Sequence, residues 1–350
     1  MQCFSRPMKD RLSIWLLLSG VLAMSGCTKS SLPAASGSGG SSRDAADSGV
    51  SPGRPQPSST QPGRAAAAAR AELPLQSRPA ADPGAAFDPP VALRVPSTLR
   101  AGERVPLLMV LHGFGVSSSL LIAKAGLNQV ADSKRFAYLA PEGTRDSLGR
   151  PFWNAGPTCC DLERRAPDDV KRLRELLEFN LKNPAVDPAR VFLIGYSNGA
   201  FMAQRLACDV SDRIAGVISV AGATPGPEIP CAPLTPLSVL EIHGDADPIV
   251  HYQGGVVFDR TDLPPHASAV DSVKAWADRL GCKGPLQNVG STDLEPNLAG
   301  SETAMQRFDG CRGSVELWTV HGGGHYVALQ PPAMEAMWSF IVAHPKGGAE

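Results

Sequence analysis

Residues 190–208, RVFLIGYSNGAFMAQRLAC, join an apolar β-branched run directly to a helix-forming run through one serine set between two glycines. A strand that turns into a helix on a single residue strains that residue's backbone, and neighbouring side chains would collide across the turn. Gly195 and Gly199 remove those side chains and leave Ser197 exposed at the end of a strand. The order of strand, turn and helix predicts an α/β sheet with Ser197 at the carboxyl ends of its strands, where such sheets place their active sites. A tight turn without chemistry is the alternative.

Runs typical of buried strands and of amphipathic helices alternate over the rest of the chain. The strand-like runs are residues 105–113, 136–143, 190–197, 214–222, 237–244 and 314–322. The helix-like runs are residues 119–133, 168–182, 198–208, 267–281 and 332–344. This alternation predicts a mostly parallel central sheet with helices on both faces, in one domain over residues 87–345 with a short tail at 346–350.

The amino-terminal part differs in composition from this domain. Residues 1–27 resemble a bacterial lipoprotein signal, because a basic start precedes a short apolar stretch that ends on small residues and Cys27. Cys27 would be the lipidated residue, and an ordinary signal peptide with an incidental cysteine is the alternative. Residues 28–86 are rich in Gly, Ser, Pro and Ala and predict a disordered linker. We therefore expect a secreted protein, anchored by lipid to the outer face of the cell envelope or extracellular.

Charge and cysteine content limit the partners and cofactors. A net charge of −1 gives no basis for nucleic-acid binding. Outside residues 1–27, the cysteines are Cys159, Cys160, Cys208, Cys231, Cys282 and Cys311. An even number in an exported chain favours disulfides, and the spacing does not fit a metal site, so we expect neither metal nor cofactor. We expect Cys282 to pair with Cys311, and the adjacent cysteines at 159 and 160 to pair separately with Cys208 and Cys231.

A serine hydroxyl is a poor nucleophile without a base, and in this architecture an acid and then a histidine should follow the serine along the chain. His325 lies in HGGGHYV, a flexible loop after the last strand-like run, and is the expected base. His321, at the start of that loop, is expected to be structural. The acid should follow residues 237–244, where HGDADPIV offers two carboxylates. Asp247, before a proline, is preferred, and Asp245 is interpreted as a residue that stabilises the turn.

Acyl transfer also needs hydrogen-bond donors for the oxyanion that develops on the substrate. The backbone N–H of Asn198, directly after the serine, is the first candidate. The second should come from a loop after an early strand, and LHGFG at residues 111–115 supplies the N–H of Phe114. A tight strand exit is the alternative for this motif.

Six stretches together resemble secreted α/β-hydrolase esterases of the polyhydroxybutyrate depolymerase-like and feruloyl esterase-like groups. They are LHGFG, FWNAGPTCCD, DDVKRLRELL, VDPARVFLIGYSNGAFMAQRLAC, IHGDADPIV and GGGHYV. The resemblance covers most of residues 91–344 and implies an α/β-hydrolase fold with Ser197, Asp247 and His325 as the catalytic triad. It also places Trp153 and Asn154 on a loop near the cleft as substrate-binding residues, with packing under a long loop as the alternative for Trp153. Many polyester depolymerases carry a separate binding module that these motifs do not include.

The expected function is that of a serine carboxylesterase working through an acyl-enzyme. Its substrate would be a polyester, an oligomer or an acylated carbohydrate, and the protein would be a monomer. A serine peptidase on the same fold and a non-catalytic, lipid-tethered binding protein are the alternatives. The fold alone does not fix the substrate.

Overall fold

The computed structural model describes residues 82–347. The predicted signal, the lipidation site Cys27 and nearly all of the predicted linker lie outside the described residues. In the described part, Asp82 caps a 3-10 turn, Pro83–Ala86, whose Gly84 is buried. At the other end, the Lys346 ammonium donates to the carbonyl oxygens of Ser211 and Ile214. Packed structure therefore extends slightly beyond residues 87–345 at both ends.

A central sheet of eight strands organises the domain, in the order β2-β1-β5-β6-β7-β10-β9-β8. The strands are β1 (Val105–Leu111), β2 (Ala137–Leu139), β5 (Val186–Tyr196), β6 (Gly216–Val220), β7 (Ser238–Gly244), β8 (Leu286–Thr292), β9 (Thr303–Phe308) and β10 (Val315–Val320). The pairs from β2 through β10 are parallel, whereas β9 pairs antiparallel with both β10 and β8. Two short strands, β3 (Thr144–Arg145) and β4 (Pro151–Phe152), form a separate antiparallel pair. The carboxyl ends of the six parallel strands thus lie along one edge.

Helices cover both faces of this sheet, as the alternation of the sequence predicts. They are α1 (Ser118–Lys124), α2 (Leu127–Lys134), α3 (Asp169–Asn180), α4 (Asn198–Val210), α5 (Ala269–Leu280) and α6 (Pro331–Ala343). Alternate residues of β1 belong to different cores: Leu107 and Met109 pack with α3, α4 and α5, and Leu108 and Val110 pack with α1, α2 and α6. This two-sided burial explains why the central strands read as continuous apolar runs. None of the helices within residues 82–347 is both long and apolar enough to cross a bilayer.

One expectation about secondary structure needs correction, and four strands, β3, β4, β8 and β9, lie outside the strand-like runs of the sequence. The helix predicted over residues 119–133 is divided into α1 and α2 at Gly126, whose φ of 57° lies in the left-handed region. Strands β8 and β9 were not predicted, because most side chains of β8 are exposed and its sequence lacks an apolar alternation.

Three disulfides are present in the described residues. Cys282 pairs with Cys311, as predicted, and joins the end of α5 to the turn between β9 and β10. Cys208 pairs with Cys231, and the adjacent residues Cys159 and Cys160 pair with each other. The expectation that the adjacent cysteines pair separately with Cys208 and Cys231 is therefore wrong. The fold brings the α-carbons of Cys208 and Cys231 to 4.9 Å, within ordinary disulfide reach, so neither is left for the adjacent pair.

Candidate active site

Ser197 lies between the end of β5 and the start of α4, at the carboxyl edge of the sheet. Its φ of 53° and ψ of −121° are a strained combination for a residue with a side chain, and its N–H is held by the carbonyl of Val220 at 2.8 Å. A β-carbon at Gly195 would collide with the backbone of Gly199, and one at Gly199 would collide with the carbonyl of Leu111. Between residues 191 and 204, Ser197 is the one residue that is not buried. The turn thus presents a single hydroxyl to the outside.

A hydrogen-bonded chain runs from this hydroxyl to a buried carboxylate. The Nε2 atom of His325 lies 2.9 Å from Ser197 Oγ, and its Nδ1 atom lies 2.7 Å from Asp247 Oδ2. His325 is on the loop between β10 and α6, and Asp247 is on the loop after β7. The structure therefore brings together, from three loops, the three residues that the sequence predicts as nucleophile, base and acid.

Asp247 is held in one orientation by four donors. Its Oδ1 accepts the N–H groups of Ile249 at 2.8 Å and Val250 at 3.0 Å, and its Oδ2 faces His325 and, at 3.3 Å, Nε2 of His243. Burial by itself would raise the pKa of Asp247, but the hydrogen bonds to His243 and His325 hold that pKa well below its usual range. The carboxylate is therefore ionised at every pH at which an imidazole can act as a base.

The two residues set aside as alternatives form a second pair at the surface. Asp245 Oδ2 lies 2.9 Å from Nδ1 of His321, and Asp245 Oδ1 accepts the N–H of Gly322 at 2.7 Å. This pair ties the loop after β10 to the loop after β7. Its hydrogen bonds position the loop that carries His325 and do not reach Ser197.

Two backbone N–H groups flank the serine. Asn198 is the first residue of α4, so its N–H has no partner within the helix. Phe114 follows Gly113, at which an added β-carbon would lie 3.4 Å from Cβ of Ser197. Neither N–H makes a hydrogen bond within residues 82–347. Both are therefore free to donate to an oxygen bound beside Ser197.

The side chain of Trp153 is too deeply buried to contact a substrate. Its side chain is 0% exposed, packs on the ring of His112 and donates from Nε1 to the carbonyl of His112 at 3.1 Å. Trp153 is therefore a packing residue, and the expected contact is corrected. Asn154 is half-buried, and its amide donates to the carbonyl of Pro167 at 2.9 Å. Its substrate contact stays a prediction.

The role of the Asn198 side chain and that of the buried residues Glu241 and His243 were not predicted from the sequence. The Asn198 side chain accepts the N–H of Trp153 at 2.7 Å and donates to its carbonyl at 2.9 Å, which braces the turn that carries Ser197. Glu241 and His243 lie buried on β7, directly before Asp247. Their spacing of two along a strand places them on one face, and that signal was available in the motif LEIHGDAD.

Comparison with known proteins identifies the family. A putative esterase from Nocardia uniformis subsp. tsuyamanensis, NocK, is 32% identical over 300 residues, which are 80% of this chain and 85% of NocK. The chain belongs to the α/β-hydrolase esterases. A family model described as phospholipase/carboxylesterase matches residues 99–261 of this esterase. As a member of the family, the chain is a carboxylic ester hydrolase.

The chain is also similar to a feruloyl esterase and to an acetyl xylan esterase. Feruloyl esterase B from Piromyces equi is 29% identical over 247 residues, which are 67% of this chain and 42% of that protein. The solved structure of an acetyl xylan esterase from Aspergillus awamori aligns with a TM-score of 0.50 and 14% identity, covering 72% of this chain and 93% of that one. That structural likeness supports the fold alone. The polyester-depolymerase part of the expected resemblance gains no support from these relatives.

Three aromatic side chains lie next to residues that contact Ser197 or next to one another: Phe114 follows Gly113, Tyr326 follows His325, and Phe258 packs on Phe114. Phe114 is half-buried, and its ring lies 6.0 Å from that of Phe258 in an edge-on arrangement. Phe258 is 39% exposed, and Tyr326, next to His325, is 64% exposed. The Arg150 guanidinium covers the Phe114 ring at 4.9 Å. We call Phe114, Phe258 and Tyr326 the aromatic rim.

Proposed function

We propose that the esterase hydrolyses carboxylic esters through an acyl-enzyme on Ser197. The observation that carries this proposal is the continuous hydrogen-bonded chain from Ser197 through His325 to Asp247, with two unused N–H groups beside the serine. His325 takes the proton of Ser197 as Oγ attacks the ester carbonyl, and the N–H groups of Phe114 and Asn198 stabilise the oxyanion.

The alcohol leaves when the tetrahedral intermediate collapses, which completes the acylation of Ser197. His325, now an imidazolium, returns its proton to the departing alkoxide, and Ser197 is left as an ester of the acid. Water then attacks the acyl-enzyme, with His325 again as the base. Asp247 keeps the proton of the neutral imidazole on Nδ1, so that Nε2 is free to accept from the serine.

We propose that the acid part of the substrate is aromatic, as in feruloyl and related hydroxycinnamoyl esters. The aromatic rim supports this substrate class, since an aromatic pair between substrate and protein is worth roughly 0.5–1.5 kcal/mol beyond the apolar area that it buries. The similarity to feruloyl esterase B of Piromyces equi supports the same class. Acetylated carbohydrates and polyesters are the competing substrates, and the experiment below separates them.

Phe258→Ala is expected to lower kcat/KM for methyl ferulate about fivefold, because a lost aromatic contact is worth roughly 1 kcal/mol. For p-nitrophenyl acetate, whose acyl group has no ring to pack on Phe258, kcat/KM should stay within about twofold, since neither the wild type nor the variant gains this contact with that ester. Steady-state rates on both esters and on amorphous polyhydroxybutyrate would be measured for the wild type and the variant.

The matched control is Leu234→Ala, which truncates another exposed apolar side chain in a loop before β7. It should leave both rates unchanged. An equal loss on both esters in Phe258→Ala would contradict an aromatic acyl site, and a wild type that prefers acetyl esters or the polyester would assign the enzyme to those substrates.

We further propose that the esterase is exported and anchored by lipid at Cys27. Three disulfides support an oxidising compartment, because such bonds are rare in the cytosol. Expressed in full length in a bacterium, the wild type should partition with the membrane fraction, and Cys27→Ser should lose that partition. Cys3→Ser, inside the signal, is the control and should behave as the wild type. Equal membrane partition of Cys27→Ser and wild type would exclude lipidation at this residue.

A further inference from the structure

Glu241 and His243 form a buried pair at the end of β7, two residues apart on one face of the strand. Their side chains are 1% and 0% exposed. Nδ1 of His243 lies 3.2 Å from Oε1 of Glu241, and Nε2 lies 2.8 Å from the carbonyl oxygen of Val250. A buried carboxyl and a buried imidazole at this distance are costly to leave unpaired, so their protonation is coupled.

The hydrogen-bond partners of Glu241 and His243 determine how many protons the two side chains carry together. The carbonyl of Val250 can only accept, so Nε2 of His243 bears a hydrogen. A second proton must then lie between Nδ1 and Oε1 of Glu241, on one atom or the other, to join them. Burial alone would lower the pKa of His243, but its hydrogen bonds to Asp247 and Glu241 raise that pKa to about 9. Burial raises the pKa of Glu241 as well, but both of its oxygens already accept from N–H groups, Oε2 from Gln204 at 3.0 Å and Oε1 from Gly222 at 3.3 Å. His243 also lies between two carboxyl groups, those of Glu241 and Asp247. On this geometry we assign the second proton to His243, which makes it an imidazolium beside a glutamate.

Glu241 is also hydrogen-bonded to a buried side chain of α4. Its Oε2 accepts from Nε2 of Gln204 at 3.0 Å, and Oε1 of Gln204 accepts the indole N–H of Trp276 at 2.8 Å. Nε2 of Gln204 also donates to Ser219 Oγ at 2.9 Å. This chain of bonds runs through the interior from α5 to the end of β7, so His243 cannot turn away from the loop that follows.

The Nε2–H group of His243 that donates to the carbonyl of Val250 also faces Oδ2 of Asp247, at 3.3 Å. This Oδ2 is the oxygen that binds His325. We propose that His243 is a positioning residue of the active site, a buried cation that holds Asp247 in place and offsets part of the negative charge felt by His325. Glu241 keeps that cation charged. The inference rests on the proposed function, because its effect is exerted through the base and acid of that mechanism.

The remaining titratable groups near His243 are engaged elsewhere. They are Tyr252, Asp245, His251, His266 and His325. The Tyr252 ring meets His243 edge-on at 5.7 Å, while its hydroxyl bonds Thr319 at 2.8 Å on β10. Burial lowers the pKa of His266 and so favours its neutral form. Asp245 and His251 are each paired at the surface, with His321 and Asp259 respectively. The charges that contact His243 are thus those of Glu241 and Asp247.

The test is the pH dependence of kcat/KM for methyl ferulate, measured on the full-length protein. His243→Gln keeps an N–H in place of Nε2 but removes the charge. With the cation gone, the negative charge of Asp247 favours the protonated form of His325 up to a higher pH. Because only unprotonated His325 can act as a base, the midpoint of the acidic limb should move upward by about one pH unit.

A second variant guards against a folding defect. Glu241→Gln keeps His243 and the bonds to Gln204 but removes the carboxylate that charges the imidazole, so its acidic limb should move in the same direction. Tyr252→Phe is the matched control, since it keeps the ring that packs on His243 and removes only the buried hydrogen bond to Thr319, without changing a charge near Asp247, and its midpoint should equal that of the wild type. Thermal unfolding would confirm that each variant is folded.

A merely structural role would lower the plateau of kcat/KM and leave its midpoint in place. An unchanged midpoint in folded His243→Gln and Glu241→Gln would overturn the inference while leaving the proposed function intact. Failure of the proposed function has a different signature: loss of the rate difference between wild type and a Ser197 variant, regardless of pH.

Discussion

Ser197→Ala is expected to reduce kcat for methyl ferulate by a factor on the order of 10⁴–10⁶, since the acyl-enzyme can no longer form. The change removes one oxygen from a half-exposed residue and keeps the backbone turn. KM should therefore change little, and the temperature of thermal unfolding should stay within a few degrees of the wild-type value. The rate that remains, compared with the uncatalysed hydrolysis in water, would measure the contribution of substrate binding and of the N–H groups of Phe114 and Asn198.

The measurement pairs steady-state hydrolysis with covalent labelling. A fluorophosphonate probe should label the wild type at one residue per chain and should fail to label Ser197→Ala. Ser339→Ala, an exposed serine on α6, is the matched control and should retain both the rate and the label. A Ser197→Ala protein as active as the wild type would exclude an acyl-enzyme on this residue.

Rates of the wild type and of Ser197→Ala together separate the alternative functions. A wild type that cleaves an aryl amide of the same acid about as fast as the ester would favour a peptidase, because esters of equal structure are ordinarily much the easier substrates. A wild type without turnover that binds an ester, and a Ser197→Ala protein that loses this binding, would favour a non-catalytic binding protein.

The parts of the site that could be predicted from the sequence are those encoded locally. The turn at Ser197 needs small residues two positions away on each side, and Gly195 and Gly199 stand there. His325 and Asp247 each follow a strand-like run directly, so chain order and the geometry of a parallel sheet place them at the same edge. The structure holds all three in one hydrogen-bonded chain.

The parts that could not be predicted depend on contacts between distant segments. The pairing of Cys208 with Cys231 is set by how α4 packs against the loop before β7, and no local pattern encodes it. Trp153 follows a two-residue strand, and whether its ring points inward depends on Asn198, 45 residues away. The edge strand β8 is mostly exposed and therefore carries no burial pattern.

Asp247→Asn is expected to lower kcat by a factor on the order of 10⁴, the effect that removal of this charge has in other serine hydrolases with such a triad. The asparagine oxygen can still accept the N–H groups of Ile249 and Val250, so its amide nitrogen is turned toward His325. A donor at this place forces the neutral imidazole to carry its proton on Nε2, facing Ser197. His325 then cannot accept the serine proton, while the N–H groups of Ile249 and Val250 keep residue 247 in place.

The chain offers a matched control two residues away. Asp245→Asn makes the same chemical change in the carboxylate that binds His321 and Gly322, on the same loop. Because that bond only tethers the loop of His325, kcat should fall by less than about tenfold, since one exposed polar contact is worth at most roughly 1 kcal/mol. Rates on methyl ferulate, with thermal unfolding of both variants, would compare them. If Asp245→Asn lost activity and Asp247→Asn kept it, the acid of the triad would be Asp245, and the loop after β7 would have to reorient when substrate binds.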